Sequence, residues 1–202
     1  TKKQRKQVSF MMHQTIENKC YFLTSVKSIN SLPKESLNEI GFWGRSNVGK
    51  SSLLNCLTKS RIAKTSKTPG RTTSINFFEI EKKIRLIDFP GYGFAKRSKV
   101  EIYEWNKLII DYLSIRRRLF SIFLLIDSRH GLKKIDISAI ELLEKLNKNF
   151  FVVLTKIDKV SKDDLENCYE SVCININESI FANKKVFLTS SKKNKGIKEL
   201  RK

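Results

Sequence analysis

The stretch GFWGRSNVGKSSLLN, residues 41–55, constrains this chain more than any other part of it. Gly44, four further residues and then Gly49-Lys50-Ser51 match the pattern GxxxxGK[ST], set between an apolar run and a helical pattern. Glycines at that spacing let backbone N–H groups close around a phosphate. The start of the following helix adds the positive end of its dipole. Lys50 is placed to reach the β- and γ-phosphates, and the Ser51 hydroxyl to ligate Mg²⁺. The segment Gly44, Arg45, Ser46, Asn47, Val48, Gly49, Lys50, Ser51 and Ser52 is therefore expected to hold a nucleoside triphosphate.

About a hundred residues further on, LTKID follows a second apolar run. Thr155-Lys156-Ile157-Asp158 fits [NT]KxD, in which the aspartate accepts two hydrogen bonds from the guanine edge. Adenine offers no such pair of donors. The Lys156 stem can lie over the base. The segment LTSSKKNKG adds Thr189, Ser190 and Ser191, whose backbone groups are expected near the guanine oxygen. Between the two motifs, LIDFPGYGFAK supplies Asp88, Phe89, Pro90 and Gly91. Asp88 is expected to hold Mg²⁺ through water, and the Gly91 N–H to sense the γ-phosphate. Upstream, SKTPGRTTSINFF contributes Gly70, Arg71, Thr72, Thr73 and Ser74, with Thr72 as the second Mg²⁺ hydroxyl. Lys50, Thr72 and Gly91 are the residues expected to act on the transferring phosphoryl group.

The rest of the chain fits this frame. Apolar strand-like runs alternate with helical patterns: VEIYEWNKLIIDYLS is helical and LFSIFLLID suits a strand buried on both faces. IDISAIELLEKLNK is helical, FFVVLTK is a strand, and Ser161 is placed to cap a helix over SKDDLENCYESVCININESI. INFFEIEKKIRLIDF reads as a hairpin turning near Lys82 and Lys83. Such alternation predicts an α/β fold, a P-loop NTPase with a mostly parallel six-stranded sheet, one antiparallel edge strand and helices on both faces. Residues 1–20 are expected as a flexible basic extension and residues 21–202 as one domain.

Forty basic residues against twenty acidic give a formal charge of +20. Such a surface is either solvated lysine decoration or an attraction to polyphosphate, and the clusters TKKQRK, SIRRRLF and SKKNKGIKELRK favour a nucleic-acid partner. Arg116, Arg117 and Arg118 either contact RNA phosphates or form a solvated helix end. No run is long enough to cross a membrane as a helix. Four scattered cysteines are read as reduced thiols. His130 and Arg129, after the strand ending at Asp127, are either a catalytic histidine with its neighbour or, the favoured reading, a hydrogen-bonded turn at the sheet's edge.

In order and spacing, GRSNVGKSSLLN, TPGRTTSINFF, DFPGYGFA, LIDSRHGLKKID and LTKIDK resemble the motifs of the EngB (YihA/YsxC) family, within the TrmE-Era-EngA-EngB-septin-like GTPases. SRHG with a following Asp136 is specific to that resemblance, while Trp43 stands where a small residue is more usual. The resemblance implies a G domain that binds GTP or GDP with Mg²⁺ and assists assembly of the large ribosomal subunit through its rRNA. It further implies a bacterial cytoplasmic or organellar location and a role in division and septation; a monomer is the default. Asn47 resembles the asparagine by which some related GTPases hold K⁺, or it is a loop residue tolerating an unusual backbone angle. Tyr92 stands where many GTPases carry a water-orienting glutamine, which implies slow intrinsic turnover completed by a partner or K⁺. The competing classes are a small-molecule P-loop kinase, disfavoured by Asp158, and a septin-like filament protein, for which no heptads are found.

Overall fold

The computed structural model describes residues 20–63, 74–93 and 98–201. Seven strands form one sheet: β1 (Cys20–Val26), β2 (Asn38–Gly44), β3 (Ile75–Ile80), β4 (Ile84–Asp88), β5 (Leu119–Asp127), β6 (Phe150–Thr155) and β7 (Phe187–Leu188). Their spatial order is β1-β3-β4-β2-β5-β6-β7, with every pairing from β4 to β7 parallel. Five helices cover it: α1 (Lys50–Thr58), α2 (Lys99–Ile115), α3 (Lys134–Lys145), α4 (Lys162–Ile176) and α5 (Ile197–Leu200).

The α/β class is as read, but the sheet has seven strands where six were expected. The additional strand is CYFLTSV, which lies antiparallel on β3 from Cys20↔Ile80 to Val26↔Ile75 with an irregularity between Phe22 and Thr24. Its partners are far off in the chain: the Tyr21 hydroxyl donates to Glu79, 58 residues on, at 2.6 Å, and Ser25 and Ser74, 49 residues apart, share a hydrogen bond of 2.6 Å. The one strand running against the others is β3, which consequently sits second from the edge. Apart from Cys20, the expected extension over residues 1–20 lies outside the described residues.

Period-two alternation divides the core. Along β5, Ile122, Leu124 and Ile126 face one side, with Tyr112 of α2, Ile140 of α3 and Val172 of α4. Phe123 and Leu125 face the other, with Leu53, Leu54 and Leu57 of α1 and Ile197 and Leu200 of α5. Three helices thus cover one face and two the other. The helix starts are defined locally: Ser98 and Glu101 form a capping box on α2, and the Ser161 hydroxyl accepts from the Asp164 N–H as α4 begins. The β3–β4 hairpin turns at Glu81 and Lys82, one residue earlier than read. Both have positive φ (47° and 55°), with Lys83 N–H donating to Ile80 O at 2.9 Å, as in a type I′ turn.

Arg116 is not a surface contact for RNA. It is 5% exposed and its guanidinium grips the fully buried Glu39 carboxylate, through Nε at 3.0 Å and through Nη2. Tyr112 donates to the same carboxylate at 2.6 Å. Arg116 Nη1 donates to Pro33 O at 2.9 Å, and Arg85 donates to Lys34 O at 2.6 Å and Ser36 Oγ at 3.1 Å. The buried charge is thereby neutralised and fully bonded, and the segment between β1 and β2 is fastened under the sheet.

Candidate guanine-nucleotide site

The carboxyl ends of β2, β4, β5 and β6 gather the motifs at one rim of the sheet, where ligands of open α/β sheets bind. β2 ends at Gly44, the loop runs through Gly49, and α1 starts at Lys50. Two residues of that loop lie in the left-handed region, Asn47 at φ 62° and Gly49 at φ 105°. Asn47 is the residue type that tolerates this best after glycine. The turn brings Lys50 Nζ, almost buried, onto the Asp88 carboxylate at the end of β4. Asn76 also reaches Asp88, at 3.4 Å.

These residues fit a magnesium nucleotide. Ser51 and Asp88 offer hard oxygen donors beside a cation suited to phosphate, and Mg²⁺ needs few protein ligands when phosphates supply the rest. Among the described residues no cluster of three His, Cys, Asp or Glu side chains offers a different metal site. Gly70, Arg71, Thr72 and Thr73 lie outside the described residues. Ser74 is described: its hydroxyl is bonded to Ser25.

On the base side, a cleft of about 750 Å³ is lined by Gly49, Ser52, Asn55, Thr155, Lys156, Asp158, Ser191 and Lys192. Thr155 does not only face the base; its hydroxyl donates to Val48 O at 2.7 Å, tying the base motif to the phosphate loop. Lys156, at φ 58°, donates to Asn47 O at 2.5 Å and to Asp127 at 2.7 Å. Burial alone would raise the Asp127 carboxyl, but hydrogen bonds from Arg129 and Lys156 hold it down at about 2. The Arg129–Asp127 pair and the His130 N–H donating to Asp127 O at 3.0 Å make the expected turn. Asp158 is exposed, and Ser190 donates to it at 2.6 Å, which keeps its carboxyl below the usual range. Ser190 therefore orients the guanine-reading carboxylate with its side chain, while its N–H and C=O pair with Lys195.

Several expected contacts have other employment. Val48, Phe89 and Ile157 bury their side chains in the core, leaving backbone alone for a nucleotide. The Thr189 N–H and hydroxyl both donate to Leu154 O, so Thr189 pins the strand end. Arg45 directs its guanidinium away from the phosphate loop, 3.1 Å from Asp136 and donating to Gly131 O at 3.1 Å.

The loop after β4 lies flat on the phosphate loop. Tyr92 N–H donates to Gly44 O at 3.3 Å, and Ser46 N–H to Tyr92 O at 3.0 Å. A side chain on Gly91 would come 3.0 Å from the Ser46 nitrogen, so any larger residue would press the two loops apart by a few tenths of an ångström. The Tyr92 hydroxyl donates to the fully buried Asp136 at 2.9 Å, and its ring stands edge-on to Trp43 with centroids 5.1 Å apart. Trp43 thus fills the space against which the tyrosine is fixed. Asp136 also accepts the Lys133 N–H at 2.9 Å, closing the start of α3. Burial and the Asp136 charge push the Tyr92 phenol well above its ordinary range. Asp127 and the bridging role of Asp136 were missed, while Ser190, expected through its backbone, acts through its hydroxyl; an aspartate closing an otherwise apolar buried strand was the available sign of the first.

Fold and site together define a P-loop guanine-nucleotide-binding protein of the GTPase class. A family described as 50S ribosome-binding GTPase matches residues 39–156, and the GTP-binding domain of elongation factor Tu matches residues 118–202. A probable GTP-binding protein EngB of Allorhizobium ampelinum is 43% identical over 190 residues, covering 89% of this chain and 87% of that protein. One from Ruegeria sp. is 42% identical over 181 residues, covering 89% and 84%. Among solved structures, a probable GTP-binding protein engB superposes with a TM-score of 0.66 at 24% identity, covering 81% of this chain and 94% of that one. Era bound to MgGDPNP and nucleotides 1506–1542 of 16S ribosomal RNA gives 0.64 at 23%, covering 83% and 55%. The chain belongs to the EngB family of GTP-binding proteins.

Proposed function

We propose that this chain is a nucleotide-switched factor in assembly of the large ribosomal subunit, acting as a monomer in a bacterial cytoplasm or an organelle. Its GTPase is slow alone and is raised by a partner or by K⁺ at Asn47. Normal division and septation depend on it through ribosome supply. The observation that carries this reading is the position of Tyr92. The residue after the sensing glycine is bonded to Asp136 and packed on Trp43, so the chain holds no amide there to align an attacking water. A site incomplete in this way suits a timing device whose hydrolysis is triggered by what it docks on. Mg²⁺ when bound supplies charge neutralisation at the phosphates, with Ser51, Thr72 and, through water, Asp88 as its holders. The +20 charge and the shared fold with Era, solved with ribosomal RNA, support a ribosomal partner. No helix among the described residues is long and apolar enough to cross a membrane.

The test is co-sedimentation with purified ribosomal subunits in GDP and in a non-hydrolysable GTP analogue, across a salt series. Binding to the large subunit that survives moderate salt only with the analogue is the expected result. Equal binding in both states, lost early with salt, overturns it. Equal turnover in K⁺ and Na⁺ on subunits removes the Asn47 cation.

A further inference from the structure

At the end of the sheet opposite the nucleotide, the starts of β2, β5 and β6 enclose a second cavity of about 350 Å³. The nine residues of β5 separate the two ends, roughly 30 Å at the rise of an extended strand. The cavity's wall combines three chemistries. Arg117 and Arg118 are exposed, and among the described residues no carboxylate forms an ion pair with either guanidinium. Of the acids nearby, Glu39 is taken up by buried Arg116, and Glu35 accepts the backbone N–H of Arg118 at 3.0 Å and lies 3.9 Å from Arg116. Asn38, Asn149, Phe120 and Phe181 also line it, the two phenylalanines half-buried. A further cation, Lys148, lies alongside, its Nζ 3.5 Å from Arg116 O.

Free guanidinia, amides and aromatic faces around a ligand-sized hollow are the set that unpaired RNA requires. Arginines take the phosphates, amides read a base edge, and a ring accepts stacking. We infer that this pocket binds a single unstacked nucleotide of an RNA strand, with Arg117 and Arg118 on the flanking phosphates. The identification of the strand as RNA rests on the ribosomal reading above; the pocket chemistry stands apart from it. Because the pocket lies far from Gly91 and Tyr92, it is an anchor that holds in both nucleotide states, and the switch acts at the other end.

The experiment uses the full chain and fluorescence anisotropy with a labelled short oligouridylate, in GDP and in a GTP analogue, across salt. Arg117→Ala/Arg118→Ala should weaken binding about tenfold and reduce the salt slope by about 1.4, two single-strand phosphate contacts at about 0.7 each. Asn149→Ala should weaken binding without changing the slope, and affinity should be the same in both nucleotide states. A control pair, Lys145→Ala/Lys162→Ala, removes the same charge from exposed helix positions. Equal losses in the two double variants would overturn the pocket in favour of diffuse charge. Competition by polyglutamate as effective as by unlabelled RNA would also overturn it, in favour of an acidic protein segment. Failure of subunit co-sedimentation together with site-dependent oligouridylate binding would remove the ribosomal reading and uphold the pocket.

Discussion

The link between Tyr92 and Asp136 can be taken apart one bond at a time. Asp136 is fully buried and holds three groups: the Tyr92 hydroxyl at 2.9 Å, the Lys133 N–H at 2.9 Å and the Arg45 guanidinium at 3.1 Å. Replacing it with alanine uncaps α3, about 1 kcal/mol, and leaves a phenol hydroxyl buried without a partner, about 1–3 kcal/mol. Arg45 keeps Gly131 O and is part-exposed, so its loss adds little. Asp136→Ala should therefore lower unfolding free energy by about 3 kcal/mol in urea titration, with an unchanged denaturant slope. Tyr92→Phe removes a single hydrogen bond and leaves Asp136 its other two, so about 1 kcal/mol is expected. The double variant should cost less than the sum, because both singles break the same bond. The kinetic expectation separates structure from chemistry: Tyr92→Phe should leave basal GTP turnover within about threefold, since the hydroxyl faces Asp136 and not a water. A tenfold fall in kcat for Tyr92→Phe at unchanged stability would refute the reasoning and make the phenol a catalytic group.

Three further expectations follow from single contacts. The Asp127 carboxyl is held at about 2 against an ordinary 3.8, so its contribution is complete above pH 4 and is lost as pH falls through 2. With its partners part-exposed that contribution is about 1–2 kcal/mol, and Asp127→Asn should flatten the acid limb of a stability–pH curve over that window. Ser190→Ala removes the hydroxyl that orients Asp158 and accepts the Lys193 N–H, and should weaken fluorescent GDP binding about tenfold while costing about 1 kcal/mol of stability in urea titration. Lys82→Gly relieves a left-handed lysine in the β3–β4 turn and should stabilise by about 1 kcal/mol in urea titration with nucleotide affinity unchanged.

How much of this was legible follows from where each residue's partners lie. The phosphate loop and the TKxD motif were readable because their function resides in backbone turns and fixed spacings that short sequence stretches specify. Ser161 was readable as a cap because it bonds a residue three positions away. β1 was not, since an isolated mixture of aromatic and hydroxyl residues becomes a strand only when β3 is beside it. Arg116 reads as one of three like charges, yet its partner Glu39 is 77 residues distant and decides its fate alone. Phe89 and Thr189 were assigned to the nucleotide by proximity in the motif. Phe89 packs edge-on to Tyr112, and Thr189 donates twice to the strand it follows, so adjacency along the chain did not translate into facing the ligand.

The bridge made by Lys156 has a consequence for how the two halves of a nucleotide are felt. Its ammonium touches Asn47 O in the phosphate loop and Asp127 behind it, while two residues further on Asp158 faces the base cleft. The wall that meets the base and the wall that meets the phosphates therefore share one strut and cannot loosen independently. Guanosine, which carries no phosphate at all, should then slow amide hydrogen exchange in residues 45–48, a segment outside the lining of the base cleft.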